Sequence, residues 1–171
     1  MKLNKELALE AKRNGICSEW FNRLLNTEDK GELIKMYLEG IDFCLSNEYP
    51  SNAYIRENFV GTCEAYGVFL DEPINALNSR QVVALGACEG SAEYTAYSVG
   101  QVFIKHDSKL QIVASGNAFV MVDVFDNTEV TVTAKENAKV CVNQYGGSIT
   151  TETGSEGNAV IKVIRKTSKT Y

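Results

Sequence analysis

The consecutive segments DSKLQIVASG (107–116), NAFVMVDVFD (117–126), NTEVTVTAKE (127–136), NAKVCVNQYG (137–146) and GSITTETGSEG (147–157) open on Asp107, Asn117, Asn127, Asn137 and Gly147, and the next opens on Asn158. Turn-forming residues therefore recur at intervals of ten, with eleven at the last step. Three positions after each stand Leu110, Val120, Val130, Val140, Thr150 and Ile161, and five positions after stand Ile112, Val122, Val132, Val142, Glu152 and Val163. One position after each, the side chain is small: Ser108, Ala118, Thr128, Ala138, Ser148 and Ala159. Polar residues such as Gln111, Asp123, Thr131 and Asn143 fill the gaps. Alternation of period two, reset in every segment, is the mark of a β-repeat.

Side-chain parity decides how such units assemble. In a hairpin with a two-residue loop at Asp126-Asn127, Phe125 pairs with Thr128 and Val122 faces Thr131, which splits the apolar residues between two faces. A meander survives only if nearly every turn has three residues. A solenoid needs no such condition: with two units per coil, positions twenty residues apart stack and the aliphatic set stays inside. One unit buries two large aliphatic side chains, about 1.5–3 kcal/mol each, against roughly 1–2 kcal/mol of backbone entropy per ordered residue, so units must stack. The expected fold is α+β, with an N-terminal helical domain followed by a β-solenoid (β-helix) of ten-residue units; an antiparallel β-sandwich or meander is the alternative.

Two places depart from the rule. Gly147–Glu152 brings Thr150 and Glu152 into inward slots, so either the register slips by one and puts Ile149 inside, or the apolar interior opens there. Upstream, 90–96 matches 116–122 position by position and Val102-Phe103-Ile104 reads as a strand, but sixteen residues separate Ser91 from Asp107, an irregular spacing.

The first half is helical in pattern. Residues 4–14 suit a helix with Asn4 as its cap, and Ser18–Leu25 a second with Phe21, Leu24 and Leu25 on one face. Thr27 is placed to cap a third, with Leu33, Met36, Tyr37, Ile41 and Cys44 as its buried stripe, running to the break at Tyr49-Pro50. Ser51 or Asn52 opens a shorter one, and Cys63–Tyr66 adds a turn ending at Gly67. Met1–Asn75 carries eight Lys/Arg against thirteen Asp/Glu, whereas Ala76–Tyr171 carries nine of each. The division expected is an acidic helical domain over 1–75 and a β-repeat domain with a polar tail over 76–171.

At 171 residues, 44% of them apolar, the chain can bury a core. The acidic half lacks the cations that displace phosphate counterions, so nucleic acid is not an expected partner. No apolar run approaches a membrane span, and the start MKLNKELALEAKR lacks a signal peptide's apolar core, so a cytoplasmic protein without membrane attachment is expected. Five scattered cysteines show neither a disulfide framework nor zinc spacing. No Walker loop, dinucleotide fingerprint or H-E-x-x-H occurs, so no catalytic residue, cofactor or metal is assigned. His106-Asp107-Ser108 has the letters of a triad, but three consecutive residues in a turn do not converge as one.

The residues that stand out are apolar ones at outward parity. Phe119 and Met121 fall there beside Phe103, Val113 and Cys141, which together make a candidate interaction surface unless the helices or a second sheet cover it. The stretches GICSEW (15–20), YLEGIDFC (37–44), YPSN (49–52), HDSKL (106–110) and SGNAFV (115–120) resemble small proteins of uncharacterised function from gut anaerobes and their phages or mobile elements. That resemblance implies a helical half followed by a β-repeat half and carries over no site residues. The functional expectation is a non-enzymatic interaction or structural module that self-associates or docks a protein partner. The alternative is a small-molecule or nucleotide binder with a pocket near Tyr94, Tyr97 and Phe103.

Overall fold

The computed structural model describes residues 1–171, which divide into two compact units, one comprising Met1–Tyr66 with Tyr171 and the other Gly67–Thr170. The β unit thus includes residues 67–75, upstream of the division expected at residue 75.

The first unit holds α1 (Leu3–Arg13), α2 (Ser18–Asn26), α3 (Lys30–Glu39), α4 (Ile41–Ser46), α5 (Asn52–Asn58) and a 3-10 turn over Cys63–Tyr66. Its core includes Leu7, Ala11, Leu24, Leu33, Met36, Leu45, Ile55 and Phe59. Asn4 does not cap α1. It lies in the first turn, buried, and its Nδ2 donates to the Leu25 carbonyl at 2.7 Å, tying α1 to the end of α2. The cap of α3 is Asp29 rather than Thr27: Asp29 Oδ1 accepts from the Glu32 amide at 2.9 Å. The long third helix expected is two, divided at Gly40, a residue of low helix propensity in the middle of that stretch. Ser51 caps α5, accepting from the Tyr54 amide at 3.3 Å.

The second unit is a two-sided parallel β-solenoid. Its strands are β1 (Val68–Leu70), β2 (Pro73–Leu77), β3 (Gln81–Leu85), β4 (Glu89–Tyr94), β5 (Val99–Ile104), β6 (Lys109–Ala114), β7 (Phe119–Val124), β8 (Glu129–Glu136), β9 (Lys139–Gln144), β10 (Ser148–Gly157) and β11 (Val160–Arg165). Odd-numbered strands stack in order as one sheet, here sheet A, and even-numbered strands as the other, sheet B. Every strand pairing is parallel, which excludes the antiparallel sandwich and meander. From β3 to β9 partners lie twenty residues apart, as in Val102↔Val122↔Val142 and Leu110↔Val130. Leu110, Ile112, Val120, Val122, Val130, Val132, Val140 and Val142 are all buried in one continuous core, with Ala118, Ala138 and Thr128 buried at the corners.

The spacing before Asp107 is regular after all. Positive φ recurs at Gly86, Ala96, His106, Gly116, Asp126 and Glu136, one residue before each expected turn residue. The first two slots after these corners hold Ala87 and Tyr97 in place of Asp or Asn, which hides the rhythm. Turns closed by Ser98 N→Thr95 O, Ala118 N→Ser115 O and Ala138 N→Lys135 O have positive φ at their second residue only, the sign pattern of a type II′ turn. The left-handed residue is therefore not the asparagine.

At the far end the one-residue slip occurs. β10 sets Ile149 beside Val130 and Thr151 beside Val132, an offset of nineteen, and β11 restores the frame with Ile161 beside Val140, an offset of twenty-one. Ile149 and Ile161 pack on the core, and Glu152 is exposed beside Thr133 rather than buried. An ionised carboxylate is thereby kept in water.

Candidate functional site

Alternation puts every second residue of sheet A on its outer face, and the twenty-residue stacking arranges these in rows. The first row runs Val99, Phe119, Lys139, Val160 and the second Gln101, Met121, Cys141, Lys162. Val99 is 58% exposed, Phe119 42%, Met121 38% and Val160 51%, so large apolar groups on neighbouring strands remain in solvent. Cys141 is half-buried beside them. Farther along the strands the face turns polar: Asn143 Nδ2 donates to Asp123 Oδ1 at 2.8 Å. Next comes an aromatic column, with Phe125 and Tyr145 stacked at 4.9 Å, Lys105 Nζ 5.4 Å from the Phe125 ring centre and Lys166 Nζ 6.0 Å from that of Tyr145.

The five residues singled out by parity do not form one surface. Phe119, Met121 and Cys141 meet on sheet A, but Val113 belongs to β6 in sheet B, because strands ten residues apart lie in opposite sheets. Phe103 shares sheet A yet is only 6% exposed. Val99 was missed by pattern reading; its signal is its position twenty residues before Phe119, in direct register with it. The residues expected to line a pocket also diverge. Tyr94 is fully buried in the solenoid interior, Tyr97 is 82% exposed at a corner, and Phe103 faces outward from the interior.

The remaining chemical side chains have structural duties. Ser108 Oγ donates to the Gly86 carbonyl at 3.0 Å and accepts from the Cys88 amide at 3.1 Å. His106 Nδ1 accepts from the Gly86 amide at 3.0 Å, so neither is arranged as a nucleophile and its base. Burial pushes the Cys44 and Cys88 thiols up, away from the thiolate form that reacts.

His106 is one rung of a corner ladder. At these corners the residue with positive φ turns its N–H out of the sheet pattern, and the side chain twenty residues later accepts it. Asp126 Oδ2 takes the His106 amide at 3.0 Å, Glu136 Oε2 takes the Gly116 amide, and His106 takes that of Gly86. Asp126 Oδ2 also holds the buried Lys105 ammonium at 3.2 Å. The side chains at these corners thus satisfy backbone donors that the parallel ladder leaves over. No helix is long and apolar enough to cross a membrane. Comparison with family models, with curated proteins and with solved structures found no match to the chain.

Proposed function

We propose that the chain is a non-enzymatic protein-interaction or structural module whose contact surface is the outer face of sheet A around Val99, Phe119 and Met121. One observation carries this: apolar side chains at 58%, 42% and 38% exposure stand in adjoining positions of one sheet. Contiguous exposed apolar area on a folded domain marks a place where another surface is accommodated. A sheet face of this kind presents rigid, preorganised side chains, so little ordering entropy opposes association. Phe119→Lys with Met121→Lys tests the reading. These positions face solvent, so the double variant keeps its fold to within about 0.5 kcal/mol per site. It loses binding of an apolar dye and any association of the protein beyond a dimer, measured by light scattering. Equal dye binding and equal mass at all concentrations in both proteins refute the assignment.

A further inference from the structure

The ladder ends at β10 in sheet B and β11 in sheet A, each paired on one side only. Every residue of β10 except Ile149 is exposed, and in β11 only Ile161 and Ile164 are half-buried. The inward slots of this last coil, including Ile149, Ile161 and Val163, are therefore covered by a coil below and not by one above. An open edge of this sort presents unpaired backbone donors and acceptors ready for another strand. The two edges differ in charge. β10 carries Glu152 and Glu156 and no cation, while β11 carries Lys162 and Arg165 and no anion, with Lys166 following.

We propose that two copies of the chain associate end to end through these strands, β10 of each copy pairing antiparallel with β11 of the other. The chain reverses at every corner, so the two sheets run in opposite directions. A two-fold axis between the sheets and parallel to the strands sets acidic β10 beside basic β11 of the second copy, and symmetry repeats the contact. The other two-fold, perpendicular to the sheets, pairs β10 with β10 and β11 with β11, placing like charges together. Charge selects the first arrangement. Parity agrees: Glu152 and Lys162 both face outward, beside Thr133 and Cys141. The register that opposes them sets Thr151 against Val163 and Thr153 against Ile161, all of inward parity, and joins the two cores. The lengths match as well, since β10 is regular over 148–153 before its bulge and β11 spans 160–165. This contact runs along the end strands β10 and β11, not across the patch of Val99, Phe119 and Met121, and does not depend on that reading.

Sedimentation of the full chain across a concentration series, with far-UV CD as a fold check, tests the proposal. The natural protein gives a monomer–dimer equilibrium, and Phe119→Lys with Met121→Lys leaves that equilibrium unchanged. Glu152→Lys or Lys162→Glu alone lowers the association constant roughly tenfold or more, because each change reverses two contacts per dimer. Mixing the two variants, or combining both changes in one chain, restores association. A natural protein that stays monomeric overturns the proposal, as does a dimer indifferent to these changes. Cross-linking provides a second measurement in case a charge variant misfolds. In a Cys17→Ser, Cys141→Ser background, which removes the exposed thiol and the one beside Lys162, a mixture of Glu152→Cys and Lys162→Cys chains forms an oxidised dimer and neither chain does so alone, since directly opposed Cβ atoms lie within disulfide reach. Cross-linking within either single variant identifies the like-with-like pairing and refutes the assignment.

Discussion

Tyr94 and Gly100 face each other across the solenoid interior and can be exchanged for the pair that the next coil uses. Tyr94 stacks beside Ala114, and Gly100 beside Val120, so the interior is filled by a large side chain from sheet B here and from sheet A one coil later. A Cβ on Gly100 would lie 2.2 Å from Tyr94 Cε1 and 2.5 Å from Cζ. Gly100→Val is therefore overpacked and costs about 1–3 kcal/mol or more. Tyr94→Ala opens a cavity worth roughly 3–5 kcal/mol, offset by about 1–3 kcal/mol because the buried Tyr94 hydroxyl has no hydrogen-bond partner. Together the two changes reproduce the Ala114/Val120 packing. The double variant should lie within about 1–2 kcal/mol of the natural protein, giving a favourable coupling on the order of 2 kcal/mol in a double-mutant cycle. Urea unfolding followed by far-UV CD, with amide exchange in β5–β7 as a second readout, measures each corner of the cycle. Additivity within about 0.5 kcal/mol would show that the two residues do not share a space. Tyr94→Phe keeps the ring and removes the orphan hydroxyl, so it should be neutral or stabilising. It should also change the alkaline response. Burial raises the Tyr94 phenol to about 12, above the value of about 10 expected unfolded. Its contribution is intact below about pH 10 and is lost as pH rises towards about 12, and the phenylalanine variant lacks that loss.

The corners give two further tests. Ala96 holds φ 53° with no side chain to bond across the coil, and Ala96→Gly should stabilise by about 1 kcal/mol; Gly116→Ala, whose Cβ would sit 2.8 Å from the Ala96 amide nitrogen, should destabilise by more than that, both read as Tm. Asp126→Ala removes the acceptor of the His106 amide and the partner of buried Lys105 and should cost roughly 2–4 kcal/mol in urea unfolding, while Asp126→Asn, which retains an acceptor oxygen, should cost less; equal losses refute the hydrogen-bonding account.

Repeat geometry was legible because it is written twice, in turn residues every ten positions and in aliphatic residues at fixed offsets from them. Val120, Val130 and Val140 could have been inside by no other parity that also kept Val122, Val132 and Val142 there. The slip near Gly146-Gly147 was legible as one of two ways of keeping Glu152 out of the interior, the other being an interior that opens there, and the pairing of Ile149 with Val130 decides between them. The early coils were hidden because Ala87 and Tyr97 stand where Asp or Asn marks the later turns, and because the conformational demand falls on the preceding residue, where His106, Asp126 and Glu136 are tolerated for the acceptor each supplies. Asn4 looked like a cap because its competing partner, the Leu25 carbonyl, is made available only by tertiary folding. The exposed apolar face of sheet A was legible in parity but not in membership. Successive decads alternate between sheets, which removes Val113 and admits Val99, and burial removes Phe103.

Stacking at twenty residues per coil makes the size of this unit a quantised property. Losing or duplicating twenty residues between β3 and β9 leaves every inward side chain inward and every strand in its own sheet. A change of ten keeps parity but transfers all later strands to the opposite sheet, and a change of one must be absorbed at a corner if the following strand is not to turn inside out, as happens on either side of β10, where the offsets are nineteen and twenty-one. The gene for such a protein can grow or shrink in whole coils, and any family it founds should differ in length by multiples of that step.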